Sequence, residues 1–337
     1  MSMSLEQVAA AMVAPGKGIL AADESSGTIK KRFDSIKTEN TEPNRRDYRE
    51  MLFRSSDAMR NHISGVILFD ETIRQKGKDG TPLTKIITDA GSLPGIKVDK
   101  GTKPLQFCPG EVVTEGLDGL PDRVKEYTGL GARFAKWRAV IDIGAGIPSY
   151  TCINANSQAL ARYAAICVEG GLVPIVDPEI LMDGDHTIER CAEATEWVLK
   201  DVYQQLFYAR VPLEKTVLKP NMVIAGKKCA KQASREQVAA ETVKILKRCV
   251  PTAVPGIAFL SGGQSDEDAT AHLSYMNALG PLPWKLSFSY GRALQAAALK
   301  AWGGENTAAG QRAFSHRAKM NGFASLGKWK PELEKAA

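Results

Sequence analysis

Short apolar runs recur along this chain, each closed by a turn and followed by a helical pattern, and this rhythm restricts the fold more than any other feature. The runs are GILAAD (18–23), GVILFD (65–70), GIKVD (95–99), RFAKWRAV (133–140), VPIVDPEI (173–180), KTVLKPNM (215–222), GIAFLS (256–261) and KLSFSYG (285–291). Their starts lie 29 to 47 residues apart, room for a strand, a helix and two loops. Intervening segments such as SREQVAAETVKILKRCV and GRALQAAALKAW carry apolar residues at helical i, i+3, i+4 spacing. Alternating strands and helices predict a parallel sheet, and eight units predict an α/β fold closed into a (β/α)8 TIM barrel. The competing arrangement is a doubly wound open sheet, but no GxGxxG opens the first strand-to-helix turn. Residues 1–337 are expected to form a single (β/α)8 barrel domain, with a loosely held C-terminal tail from about residue 323.

Composition narrows the function. The net charge of +6 is a mild excess that favours anionic ligands. The basic clusters Lys30-Lys31-Arg32 and Lys227-Lys228 are short and lack interleaved aromatics, so nucleic acid is not expected as a partner. Six cysteines show no CxxC spacing, which suits reduced thiols rather than a disulfide framework. The four histidines are scattered with no ligand spacing, so neither a metal nor another cofactor is expected. No apolar run approaches ~18 residues, so no membrane span is expected. The N-terminal stretch lacks a basic n-region and reads as a first helix. A cytoplasmic location is expected, with the plastid stroma open if a transit peptide has been removed.

In a barrel the active site lies at the C-terminal ends of the strands. Asp23, Lys97, Asp99, Lys136, Arg138, Asp177, Glu179, Lys219, Ser261 and Arg292 all fall on or just after those ends. Any one of them could be a salt bridge or a solvated strand end; convergence of all of them on one mouth points to chemistry. Lys219 is the most demanding, because an ammonium in an apolar run is costly to bury. A second cation nearby, Lys136, would disfavour its charged form and leave an amine able to attack a carbonyl. The resulting imine withdraws electrons and lets a neighbouring carbon–carbon bond break or form, with Asp23, Asp177 and Glu179 as candidate proton carriers. The turn Ser261-Gly262-Gly263 and the helix opening Gly291-Arg292 suit a phosphate, as at the last two strands of many such barrels. Lys31, Arg32, Lys97 and Arg138 could hold another.

The stretches PGKGILAADESSGTIKKRF, GVILFDETI, PGIKVDKG, EGLDGL, ARFAKWRAV, ARYAAI, GLVPIVDPEIL, LKPNM, VPGIAFLSGGQS and SFSYGRALQ run in order from about residue 15 to 305. Together they resemble class I fructose-bisphosphate aldolases. The resemblance implies metal-independent, reversible cleavage of fructose 1,6-bisphosphate to dihydroxyacetone phosphate and glyceraldehyde 3-phosphate, and a homo-oligomer, the homotetramer of the family. It implies that Lys219 forms the Schiff base, Lys136 is the adjacent cation, Asp23 handles the C4 hydroxyl, and Glu179 contacts the Schiff-base region. Ser261, Gly262, Ser289, Gly291 and Arg292 would hold the 1-phosphate. Ser25, Thr28, Lys31, Arg32, Lys97 and Arg138 would line the path to the 6-phosphate.

Two departures from the family pattern stand out. Asp177 occupies the place of a glutamate general acid/base and is about one methylene shorter. The chain ends LEKAA, where familiar eukaryotic members end in a tyrosine that reaches the site. Two other readings remain: another Schiff-base sugar-phosphate aldolase, such as a transaldolase or deoxyribose-phosphate aldolase, and a non-catalytic phosphosugar-binding barrel.

Overall fold

A computed structural model describes residues 3–335. Its strands in chain order are β1 Gly18–Ala22, β2 Ile63–Leu68, β3 Leu93–Lys97, β4 Thr102–Pro104, β5 Val112–Thr114, β6 Phe134–Ile141, β7 Val173–Ile180, β8 Val217–Leu218, β9 Gly256–Phe259 and β10 Lys285–Tyr290. The parallel strands close in the order β1-β10-β9-β8-β7-β6-β3-β2, so the eight apolar runs are the eight barrel staves. β4 and β5 form a separate antiparallel ribbon inserted between β3 and β6.

Each barrel strand alternates between an outward and an inward face. Outward residues such as Leu20, Ala22, Trp137 and Val176 join the large core beneath the surrounding helices. Trp137, for example, stacks on Tyr163 of helix Tyr150–Glu169, with ring centroids 5.6 Å apart. Inward residues Ile19, Ala21, Ile67, Phe134, Ile175, Val217 and Ala258 form a second, smaller cluster inside the barrel. Val8, Ala9 and Met12 from the first helix, Leu5–Met12, and Val13 that caps its end complete it. That helix plugs the end where the strands begin: the Ser64 hydroxyl at the start of β2 donates to the Met12 carbonyl (2.6 Å).

The helices that follow the strands are started by local chemistry. Ser149, Thr187, Ser234 and Ser265 each accept a bond from a first-turn backbone N–H, which stabilises the helices they precede. The tail differs from the loose segment expected from about residue 323. Through residue 335 it is seated: Trp329 is buried and donates to the Glu334 carboxylate (2.7 Å), which also accepts from Arg317 of helix Thr307–Ala324. A buried indole with its N–H satisfied holds the segment down. Residues 336 and 337 lie outside the described residues.

Candidate active site

Strand period carries the apolar plug directly into a polar layer. Two residues beyond Ala21 comes Asp23, beyond Phe134 comes Lys136, beyond Ile175 comes Asp177, and beyond Val217 comes Lys219. Parallel pairing sets Lys97 level with Lys136, Arg138 with Asp177, and Val140 with Glu179. The charged groups therefore share one face at the C-terminal ends of the strands, around a cavity of about 1480 Å3.

Lys219 does not lie within a long strand. β8 has only two residues, and Lys219 follows it, its N–H donating to the Val176 carbonyl (2.8 Å). Pro220 has no N–H to continue that ladder. The residue is 5% exposed, and its Nζ lies 3.2 Å from Asp177 Oδ2. Lys136 Nζ bonds Asp23 Oδ2 at 3.0 Å and stands 3.6 Å from the same Asp177 oxygen. The two lysines are thus neighbours, as expected, but not as a bare like-charge pair: Asp177 lies against both.

Burial opposes the charge on Asp23, but Lys136 and Lys219 outweigh it and hold the carboxyl well below the usual carboxylate range. Burial likewise opposes the charge on Lys136, and Asp23, Asp177 and Asp99 outweigh it, keeping the ammonium. Asp177 goes the other way. Desolvation raises its pKa, and the attraction of Lys219 and Lys136 only partly offsets this. It is 1% exposed, and neither carboxylate oxygen meets hydrogen-bond geometry. Of the residues expected at the site, Asp177 is the one that does not line the cavity; it sits behind Lys219 and Lys136.

Glu179 lines the cavity but is bound to the Arg138 guanidinium rather than to Lys219. Lys97 pairs with Asp99 (2.5 Å), whose other oxygen accepts from the Arg138 N–H. Arg32 pairs with Glu24 (2.5 Å), while Ser25 and Thr28 share a hydroxyl bond of 3.1 Å; these and Lys31 also line the cavity. Ser261, Gly262, Ser289, Gly291 and Arg292 line the cavity too, and Gly291 is next to Arg32: a Cβ there would lie 3.4 Å from Arg32 Nη2. The Ser289 hydroxyl is buried without a partner there, an open donor beside the glycine turn. Lys227 and Asp183 also line the cavity, paired at 2.9 Å, and the sequence reading passed over both. Lys227 reads as half of a short surface basic pair; only the fold brings its loop back over the mouth. Among the described residues no cluster of three or more His, Cys, Asp or Glu could hold a metal ion.

Residues 4–337 match the family model described as Fructose-bisphosphate aldolase class-I. A "Probable fructose-bisphosphate aldolase class 1" of Xanthomonas campestris pv. campestris is 60% identical, over 97% of this chain and 100% of the relative. The cytosolic fructose-bisphosphate aldolase 6 of Arabidopsis thaliana is 57% identical over 95% of this chain and 90% of its own length. The fructose-bisphosphate aldolase of Plasmodium falciparum, solved with TRAP and a small-molecule inhibitor, superposes with a TM-score of 0.94 at 50% identity, covering 97% and 95% of the two chains. A barrel mouth with neighbouring lysines in a cavity lined by further cations, and likeness over almost the whole length, lead to one conclusion: the chain belongs to the class I fructose-bisphosphate aldolases.

Proposed function

We propose that Lys219 is the amine that forms the Schiff base in the reversible aldol cleavage of fructose 1,6-bisphosphate to dihydroxyacetone phosphate and glyceraldehyde 3-phosphate. The observation that carries the assignment is the position of Lys219: a buried amine at the cavity floor, in a cavity also lined by Ser261, Gly262, Arg292, Lys97 and Arg138. A substrate with a phosphate at each end lays its C2 carbonyl over the floor. Lys136, held as an ammonium, donates a proton to the carbinolamine hydroxyl as water leaves. The imine then accepts the electron pair of the C3–C4 bond, while ionised Asp23 takes the C4 hydroxyl proton. Asp177 returns protons to the enamine side, and Glu179 holds Arg138 in place on the 6-phosphate path. Ser261, Gly262, Ser289, Gly291 and Arg292 hold the 1-phosphate; Ser25, Thr28, Lys31, Arg32, Lys97 and Arg138 serve the other.

Borohydride reduction in the presence of dihydroxyacetone phosphate tests this reading. The peptide containing Lys219 should gain the reduced adduct. Adduct on Lys136 or Lys97 with Lys219 unlabelled would overturn it. A cytoplasmic homotetramer is the assembly proposed here, supported by the cytosolic plant relative and by the side-by-side exposed Phe207 and Tyr208 on helix Ile188–Tyr208.

A further inference from the structure

We propose that Lys227 is a second cationic ligand of the C1 phosphate, reached by exchanging its Asp183 partner for the phosphate. The inference rests on the reading that the Ser261-Gly262-Gly263 turn and Arg292 bind that phosphate.

The geometry comes from two loops that lock together over the barrel mouth. The Gly226, Lys227 and Lys228 N–H groups donate to the His186, Met182 and Gly184 carbonyls at 2.8, 2.8 and 3.0 Å. Gly226 permits this closeness: a Cβ there would lie 2.3 Å from the Gly184 carbonyl oxygen. Lys227 is therefore fixed by its backbone while its side chain reaches inward. A Cβ built on Gly263 would meet Lys227 Nζ at 2.5 Å and Arg292 Nη2 at 2.6 Å. A cation from a loop and a cation from the first turn of helix Arg292–Trp302 thus converge on one point above the turn. Gly263 has φ +86°, so its lack of a side chain serves both the turn and the space in front of the cations.

An anion is the natural occupant of that point. Like charges brought together repel unless something negative lies between them. Asp183 answers only Lys227, and it does so from an exposed position: the lysine and aspartate side chains are 42% and 66% accessible. Exposed pairs of this kind are weak and easily exchanged. A phosphate dianion between Lys227, Arg292 and the unpartnered Ser289 hydroxyl offers charge-assisted bonds that the carboxylate cannot match. Asp183 then acts as a resting partner that keeps the lysine extended over the mouth when no substrate is bound.

The test compares Lys227→Met, Lys227→Arg, Asp183→Asn and Arg292→Ala in the intact enzyme. The readouts are the dissociation constant of dihydroxyacetone phosphate and the KM of glyceraldehyde 3-phosphate in condensation. Lys227→Met should weaken dihydroxyacetone phosphate about tenfold, the effect of losing one charge-assisted contact at a partly wet site. The KM for glyceraldehyde 3-phosphate should stay unchanged, which general damage to the mouth would not allow. Lys227→Arg should restore most of the affinity. Asp183→Asn should bind dihydroxyacetone phosphate as tightly as the parent or tighter; weaker binding would overturn the partner exchange. If Arg292→Ala weakens binding and Lys227→Met does not, Lys227 is only a surface ion and the proposal fails alone. If neither variant weakens binding, the phosphate site itself is misplaced and both readings fail.

Discussion

At the scale of single residues, Asp177 shows what one methylene decides. Its carboxylate is 1% exposed and rests against Lys219 and Lys136 without lining the cavity. Burial raises its pKa despite the two lysines, which suits the proton return proposed for it. General acid–base groups contribute ~10²–10⁴-fold when they lie within hydrogen-bond reach or one water away. Asp177→Asn should therefore lower turnover by at least ~10²-fold with bisphosphate binding nearly intact. Trapped imine should accumulate in that variant, because formation outruns release. Asp177→Glu, which extends the carboxylate toward the cavity, should retain activity. Normal turnover in Asp177→Asn would pass the role to Asp23 or Glu179. The types of the site residues were legible in the sequence because strand period places them two residues beyond apolar plug positions. Their partners were not: nothing local links Arg138 to Glu179, or Lys227 to Asp183, until the barrel closes.

At the scale of elements, the barrel interior explains both what the pattern revealed and what it hid. Eight runs were legible because a stave buried on both faces reads as a continuous apolar run. The ribbon of β4 and β5 escaped notice, since its strands have three residues each and β4 is exposed throughout. Helix Thr307–Ala324 escaped too; its residues TAAGQRAFSHRAKMNGFA mix small, polar and apolar types with no single apolar stripe. It is held by packing against helix Arg292–Trp302 and by the tail rather than by pattern. Glycines inside strands, which usually weaken β structure, here make room for a ring. Phe134 of β6 crosses the barrel interior so closely that a Cβ on Gly95 would meet its ring at 2.2 Å, and one on Gly65 at 2.9 Å. Overpacking of this kind costs ~1–3 kcal/mol. Gly95→Ala should lower the urea midpoint accordingly, and adding Phe134→Leu should recover part of the loss because the two residues share one space. Equal midpoints for Gly95→Ala and the parent would show that the ring has room to move.

At the scale of the whole molecule, stability and site are joined through a buried histidine. Burial holds His62, His186 and His272 below the ordinary histidine value. His272 is pushed furthest, down to about 4, with desolvation outweighing the attraction of Asp268 and Glu236, and Arg235 adding to the depression. Its Nδ1 faces the Gln264 side-chain carbonyl, which only accepts, so the neutral ring donates there. Gln264 in turn donates to the Ser261 carbonyl (2.9 Å) at the start of the glycine turn. The sign of the linkage follows from these positions. Below about 6.5 the unfolded chain takes up protons on His272 that the folded chain refuses. Stability is therefore fully present above that pH, falls as pH drops toward the folded value of about 4, and levels off below it. Between pH 7 and pH 5 the share of His272 is about 2 kcal/mol. His272→Gln keeps a polar side chain beside Gln264 and removes the titration, so the difference in unfolding free energy between pH 7 and pH 5 should shrink by about that amount. Denaturant titrations of parent and variant at the two pH values measure it directly. An identical pH dependence in the two proteins would mean that His272 takes up its proton in the folded state at its ordinary pH.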